Sequence, residues 1–173
     1  IVCLRGKSVA RVVGAARALY RGECPWDVTT MDIYEVGFEV DDYDHVVIFI
    51  CNLTSWVRLV PLKGTGDSAL LVRLFKHEVV RNEGCPRFLR SDRGSNLVSE
   101  VWTAFCKAYN INPEVGSAYM HSTAAMAERA LQTLRTTFRI LKIAKHNQSW
   151  PDWVDDVEIA INFRADGPFF LNR

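Results

Sequence analysis

Apolar and polar positions change their period several times along the chain, and each change marks an element. Residues 28–40 alternate loosely and read as a strand, with Asp32 near its start. Asp41-Asp42-Tyr43-Asp44 reads as a polar turn. Val46-Val47-Ile48-Phe49-Ile50-Cys51 is apolar throughout, as expected of a strand covered on both faces. Trp56-Val57-Arg58-Leu59-Val60 reads as a third strand, so the first three elements form a meander. The period then becomes helical. Asp67 suits an N-cap, Leu70, Leu71, Leu74, Phe75, Glu78 and Val79 keep helical spacing, and Gly84-Cys85-Pro86 ends the run. Phe88-Leu89-Arg90-Ser91 predicts a short strand with Asp92 at its C-terminal end.

Ser99 caps a predicted second helix in which Val101, Trp102, Phe105 and Tyr109 share one face, and residues 112–116 predict a last strand. A long helix is expected over 124–145, with Met126, Ala130, Leu134, Phe138 and Leu141 on its apolar side. Pro151 is expected near the first turn of a final helix that turns Trp153, Val157 and Ile161 inward and closes at Gly167-Pro168. The order is three strands, helix, strand, helix, strand, helix, helix. It predicts an α/β domain with a mixed five-stranded sheet and helices on both faces.

Composition changes this picture little. The chain has 173 residues and a net charge of +1, ordinary for one globular domain, so any nucleic-acid signal must lie in where the charges sit. Five cysteines at wide spacing do not make a disulfide framework; Cys51 and Cys106 fall in apolar settings and read as buried thiols of a reducing compartment. No membrane-length apolar run appears. Gly6-Lys7-Ser8 lacks the earlier glycine of a phosphate-binding loop, since Ile1 stands there. Asn52-Leu53-Thr54 and Asn147-Gln148-Ser149 match glycosylation acceptors, which carry little weight without a secretion signal.

The candidate chemistry lies in three acids at the edges of predicted elements: Asp32, Asp92 and Glu128, the last two separated by 35 residues. Phosphoryl transfer with two metals needs acidic ligands from different elements meeting at one point. Each acid also has a plain structural use. An Asp before Arg-Gly can make a turn, and a Glu in a first helical turn suits the helix dipole. On the long helix Gln132, Arg135, Arg139, Lys142 and His146 project within roughly 40° of Glu128, away from the apolar stripe. A solvated helix face would look the same, but alignment with the acid favours contact with DNA phosphates. Arg93 suits a phosphate contact or a salt bridge.

Taken together, Pro25-Trp26, Met31-Asp32, Gly84-Cys85-Pro86, Ser91-Asp92-Arg93-Gly94-Ser95-Asn96, Ala118-Tyr119 and Ala127-Glu128-Arg129 resemble the catalytic core of a retroviral-type integrase, most closely those of gypsy-type LTR retrotransposons. The likeness covers roughly residues 25 to 165. It implies an RNase H-like fold and an Asp-Asp-Glu triad that falls on Asp32, Asp92 and Glu128. It implies Mg²⁺ or Mn²⁺ as cofactor, DNA ends and target DNA as partners, and self-association. No small-molecule substrate and no membrane partner are expected. The implied reaction is 3′-end processing followed by strand transfer, in the nucleus after passage through the cytoplasm. Residues 1–24 then read as a linker from a truncated zinc-binding module, with Cys3 where its last cysteine would stand, and residues 25–173 as the catalytic core. Zinc would belong only to that missing module.

Two departures from the family pattern stand out. The loop Tyr119-Met120-His121-Ser122-Thr123-Ala124-Ala125 lacks the usual proline, amide or acid, and glycine, and Asn52 replaces an aspartate common in the second strand. They motivate two alternatives: a non-catalytic module that binds DNA or protein, and an insertion-sequence transposase.

Overall fold

The computed structural model describes residues 20–91, 99–115, 129–130, 132–140 and 150–163. Strands β1 (Val28–Val40), β2 (Tyr43–Cys51) and β3 (Val57–Leu62) form an antiparallel meander. The first turn is tighter than expected. Tyr43 already pairs with Val40, leaving Asp41 and Asp42 alone at the tip with φ of +53° and +66°. Two such residues make the mirror-image turn that suits the twist of a hairpin, and Asp tolerates that backbone better than most side chains. Two further strands, β4 (Phe88–Ser91) and β5 (Asn112–Val115), add in parallel, giving the order β3-β2-β1-β4-β5. The expected mixed five-stranded sheet is therefore present.

Strand alternation divides the core in two. Met31, Val47, Phe49 and Cys51 face one side, under α1 (Ser68–Phe75) and α3 (Glu100–Ala108), whose Leu71, Phe75, Trp102 and Phe105 fill that layer. Val46, Ile48 and Ile50 face the other side. There they meet Ala130, Leu134 and Phe138 of α4 (helical at 129–130 and 132–140) and Val157 and Ile161 of α5 (Val154–Asn162). Helices thus cover both faces.

The caps read from the sequence are made. Asp67 accepts from Leu70 N–H at 2.7 Å and Ser99 from Trp102 N–H at 3.3 Å. The first helical run is not uniform: α1 continues through a π-helical stretch, Lys76–Val80, into α2 (Arg81–Glu83). Leu71, Phe75 and Val79 are buried at four-residue steps. An ordinary α-helix would rotate such a row off the sheet, and the wider π turn holds Val79 in line. Gly84 ends the run with φ of +98°, which favours glycine.

The final helix starts with a 3₁₀ turn, Trp150–Trp153, that holds Pro151, and α5 follows it. Trp150 is fully buried; its indole N–H donates to the Tyr43 carbonyl at 3.1 Å, and its ring stands edge-on to Phe138. At the open edge of the sheet α5 supplies the missing ladder partners for β3. Asn162 accepts from Val57 N–H at 2.8 Å and donates to the Val57 carbonyl at 3.0 Å. Glu158 accepts from Leu59 N–H and from Arg58. Side chains stand where another strand would, and the edge is closed to further pairing. Among the described residues no helix is long and apolar enough to cross a membrane.

Candidate active site

Asp32 lies in β1, opposite Ile48 in β2. It shares a face with Thr30, Tyr34 and Val36, the face covered by α4 and α5. Its side chain is partly buried, and Oδ1 accepts the N–H of Ile33 at 2.9 Å. On the other side of β1 the parallel ladder with β4 runs from Val28↔Phe88 to Met31↔Ser91. Its last rung is the residue before Asp32 paired with the residue before Asp92. Asp92 and Glu128, like Arg93, Lys142 and the loop 119–125, lie outside the described residues. Among the described residues no three His, Cys, Asp or Glu side chains form a metal-holding group.

Helix α4 crosses this face with Ala130, Leu134 and Phe138 buried, so Gln132, Arg135 and Arg139 are exposed, as the sequence pattern requires. The Arg135 guanidinium lies 5.5 Å from the centre of the Tyr34 ring. That contact brings the helix alongside β1 two residues after Asp32. Phe138 meets Trp150, which bonds to Tyr43 at the far end of the β1–β2 hairpin. Helix α4 therefore runs in the direction of β1, and its N-terminal end is on the Asp32 side.

The parallel pairing of β1 and β4 is held at its base by a buried aspartate that sequence reasoning did not single out. Asp27 accepts from Arg87 at 2.6 and 2.7 Å, from the Tyr20 hydroxyl at 2.8 Å and from the Glu23 N–H at 3.0 Å. Arg87 also donates to the Tyr20 hydroxyl. The Asp27 carbonyl takes the N–H groups of Arg87 and Phe88. The Arg87 guanidinium holds the Asp27 carboxyl well below the usual carboxylate range, against the opposing effect of burial. This knot starts β4 in register with β1, four residues before Ser91.

A polar row crosses the sheet just below Asp32. The Thr30 hydroxyl donates to Asn52 Oδ1 at 2.8 Å; Arg90 pairs with Thr30 in the ladder, and its Nε donates to Glu114 Oε2 at 2.5 Å. Asn52 follows the end of β2 and is buried. Arg90 and Glu114 were not anticipated. The available signal was an arginine at an inward position of a four-residue strand.

No protein-family model matches the chain. Over 134 residues, 78% of its length, it is 25% identical to the Gag-Pol polyprotein of avian reticuloendotheliosis virus. It is 24% identical over 149 residues, 86% of the chain, to that of baboon endogenous virus (strain M7). The Pol polyprotein from transposon 412 of Drosophila melanogaster is 22% identical over 111 residues, 64% of the chain. The chain spans only 11%, 8% and 9% of these polyproteins. The narrower expectation of a gypsy-type element has looser support, because the retroviral polyproteins match over more of the chain than the transposon polyprotein does.

In the simian T-cell lymphotropic virus intasome in complex with PP2A regulatory subunit B56 gamma, one chain superposes with a TM-score of 0.72 at 17% identity, over 84% of this chain and 51% of that one. The dimeric HTLV-2 integrase catalytic core domain in complex with magnesium gives 0.69 at 14% identity, over 88% of this chain and all (100%) of that one. The BIV integrase catalytic core domain gives 0.67 at 13%, over 83% and 91%. The chain is thus a relative of the Pol polyproteins of retroviruses and retrotransposons, and over that stretch it has the RNase H-like fold of a retroviral integrase catalytic core.

Proposed function

We propose that this chain is an integrase catalytic core that processes the 3′ ends of element DNA and joins them to target DNA, with Asp32, Asp92 and Glu128 as the ligands of divalent metal. The observation that carries this reading is the β1–β4 register. Met31 and Ser91 are ladder partners, and each is followed directly by one of the two aspartates. Neighbouring strands are about 5 Å apart, so one ion can be reached from both positions. Helix α4 supports the third ligand. Glu128 comes directly before the described start of α4 and precedes Arg135, which touches Tyr34, by seven residues in the chain. Asp32 precedes Tyr34 by two residues, or about 7 Å of strand. On both elements the candidate acid precedes the Arg135–Tyr34 contact in the chain, which supports the assignment.

The donor set is all carboxylate oxygen, which suits Mg²⁺ or Mn²⁺. When bound there, a divalent ion lowers the pKa of the attacking water or 3′-hydroxyl and stabilises charge on the leaving oxygen. The protein's own part is to hold the three carboxylates in place and to align the duplex. Gln132, Arg135, Arg139 and Lys142 are assigned to the phosphate backbone, where they position DNA without reading its sequence. The simian T-cell lymphotropic virus intasome and the HTLV-2 integrase catalytic core in complex with magnesium, known in a dimeric and a trimeric form, support DNA, self-association and magnesium for this chain. The same likenesses favour an integrase core over the non-catalytic module and the insertion-sequence transposase. Nuclear action and the division into residues 1–24 and 25–173 belong to this proposal.

The test is strand transfer with the wild-type chain and with Asp32→Asn, Asp92→Asn and Glu128→Gln, alongside thermal melting. The expected outcome is loss of metal-dependent joining with melting temperatures kept. Equal joining rates in wild type and any one variant would refute the assignment of that residue.

A further inference from the structure

Helix α1 and the π-helical stretch after it pack on the face of the sheet opposite to α4. Their buried row is Leu71, Phe75 and Val79, at four-residue steps. Arg73, His77 and Arg81 keep the same step two residues later. That offset turns them about 200° away, toward solvent, and all three are exposed. In an unbroken α-helix the eight residues from Arg73 to Arg81 would end about 80° out of line. The π turn that keeps Val79 over the sheet therefore also straightens this outward row. With Ala69, Val72 and Lys76 the row lines an open cleft of about 430 Å³, and no acidic side chain lines it.

The fold does not neutralise this cleft. Arg58, Lys63, Arg87 and Arg90 each hold a carboxylate. Among the described residues Arg73, Lys76 and Arg81 hold none. Lys76 leans over the Tyr109 ring at 5.6 Å, and the neighbouring Glu78 meets His77 at 2.9 Å. Arg73 and Lys76 are like-charge neighbours on the helix, and the wider π turn makes neighbours of Lys76 and Arg81 as well. Such pairs destabilise a helix, so solubility alone would be better served by mixed signs. The α4 arginines assigned to DNA, Arg135 and Arg139, likewise hold no carboxylate among the described residues.

We propose that Arg73, Lys76, His77 and Arg81 form a second DNA-binding face, which holds the phosphate backbone of a duplex other than the one on α4. That the occupant is DNA rests on the proposed function. Successive members of the row Arg73, His77 and Arg81 are about 6 Å apart along the helix, close to the step between phosphates of one strand. A line of cations at such steps fits a linear polyanion, and it positions the duplex without reading its sequence. Because the sheet stands between this row and α4, one straight duplex cannot lie on both. The domain can therefore hold two DNA segments, one on each side.

The test places a photo-crosslinker in the cleft, as Ala69→p-benzoylphenylalanine in the full chain, and titrates a short DNA duplex over a salt series. The expected result is a crosslink to DNA whose apparent affinity falls with salt. Adding Arg73→Ala and Arg81→Ala together should lower that salt slope by about two, at about 0.9 for each lost phosphate contact. Arg73→Lys with Arg81→Lys keeps the charges and should keep the slope. Arg139→Ala, on the opposite side of the sheet, should leave the slope at position 69 as it is. All of these side chains are exposed, so melting temperatures should hold. Should the double alanine variant fail to fold, Arg73→Ala and Arg81→Ala decide singly, each with a slope lower by about one. An unchanged slope in the alanine variants overturns the inference. So does a crosslink from position 69 to a second copy of the chain instead of DNA, or displacement of the DNA by poly-glutamate at equal charge. In each of these cases the proposed function stands if Arg139→Ala still lowers the salt slope of total DNA binding. A wild-type chain that binds no DNA overturns the assignment of α4 as well.

Discussion

Asn162 is the side chain whose loss the structure prices most directly. It is buried, and both of its amide groups are used on one residue of the edge strand: Oδ1 takes Val57 N–H at 2.8 Å and Nδ2 gives to the Val57 carbonyl at 3.0 Å. Val57 is itself wholly buried, so water cannot replace the amide without opening the α5–β3 contact. Asn162→Ala leaves one donor and one acceptor unpaired. Each costs about 1–3 kcal/mol, so the expected loss is roughly 2–6 kcal/mol. For a chain of this size each kcal/mol lowers the melting temperature by about 2–4 °C, which gives a drop of roughly 4–24 °C. Asn162→Asp separates hydrogen bonding from shape. A carboxylate still accepts from Val57 N–H but sets a second oxygen against the Val57 carbonyl. It should therefore destabilise nearly as much as alanine at neutral pH. Urea unfolding followed by tryptophan fluorescence reads the difference, since Trp150 and Trp153 lie in the same core layer. A loss below about 0.5 kcal/mol for Asn162→Ala, or an Asp variant as stable as wild type, would refute the strand-mimic reasoning.

Other outcomes follow from the same geometry. The Asp27 carboxyl is held below its unfolded value by Arg87, so the stability it contributes is present in full above about pH 4 and is lost as pH falls through the folded value. Asp27→Asn should therefore unfold more easily than wild type at pH 7, with a gap that narrows in acid. An equal gap at about pH 2 and pH 7 in urea unfolding would contradict this. Arg139→Ala should weaken DNA binding about equally across sequences and reduce the salt slope of binding by about one, read by fluorescence anisotropy over a salt series. An unchanged slope would remove Arg139 from the DNA-contacting face.

Much of the fold was legible because its signals are local. The apolar run at residues 46–51 has the length and β-branched content of a covered strand, and Asp67, Gly84 and Ser99 mark helix ends through bonds to residues a few positions away. The alternation around Asp32 likewise assigns Thr30 and Tyr34 to its face. The π turn at Lys76–Val80 and the two-residue hairpin tip were not legible, because nearby spacing allows an α-helix and a longer turn equally well. Trp150 and Asn162 were missed for another reason. Their partners, Tyr43 and Val57, are 107 and 105 residues away, beyond the reach of any periodicity.

For the candidate site, the sequence alone determined which residues are candidates for the chemistry: three acids at the edges of predicted elements and a basic stripe in phase with Glu128, all read from spacing along the chain. Tertiary structure decided the parallel register that ends at Met31 and Ser91, the course of α4 beside Tyr34, and the burial of Arg90 against Glu114. The reason is physical. Side-chain periodicity is set by the backbone of one segment, whereas register, helix direction and the burial of a charge depend on the free energy of contacts between segments remote in sequence.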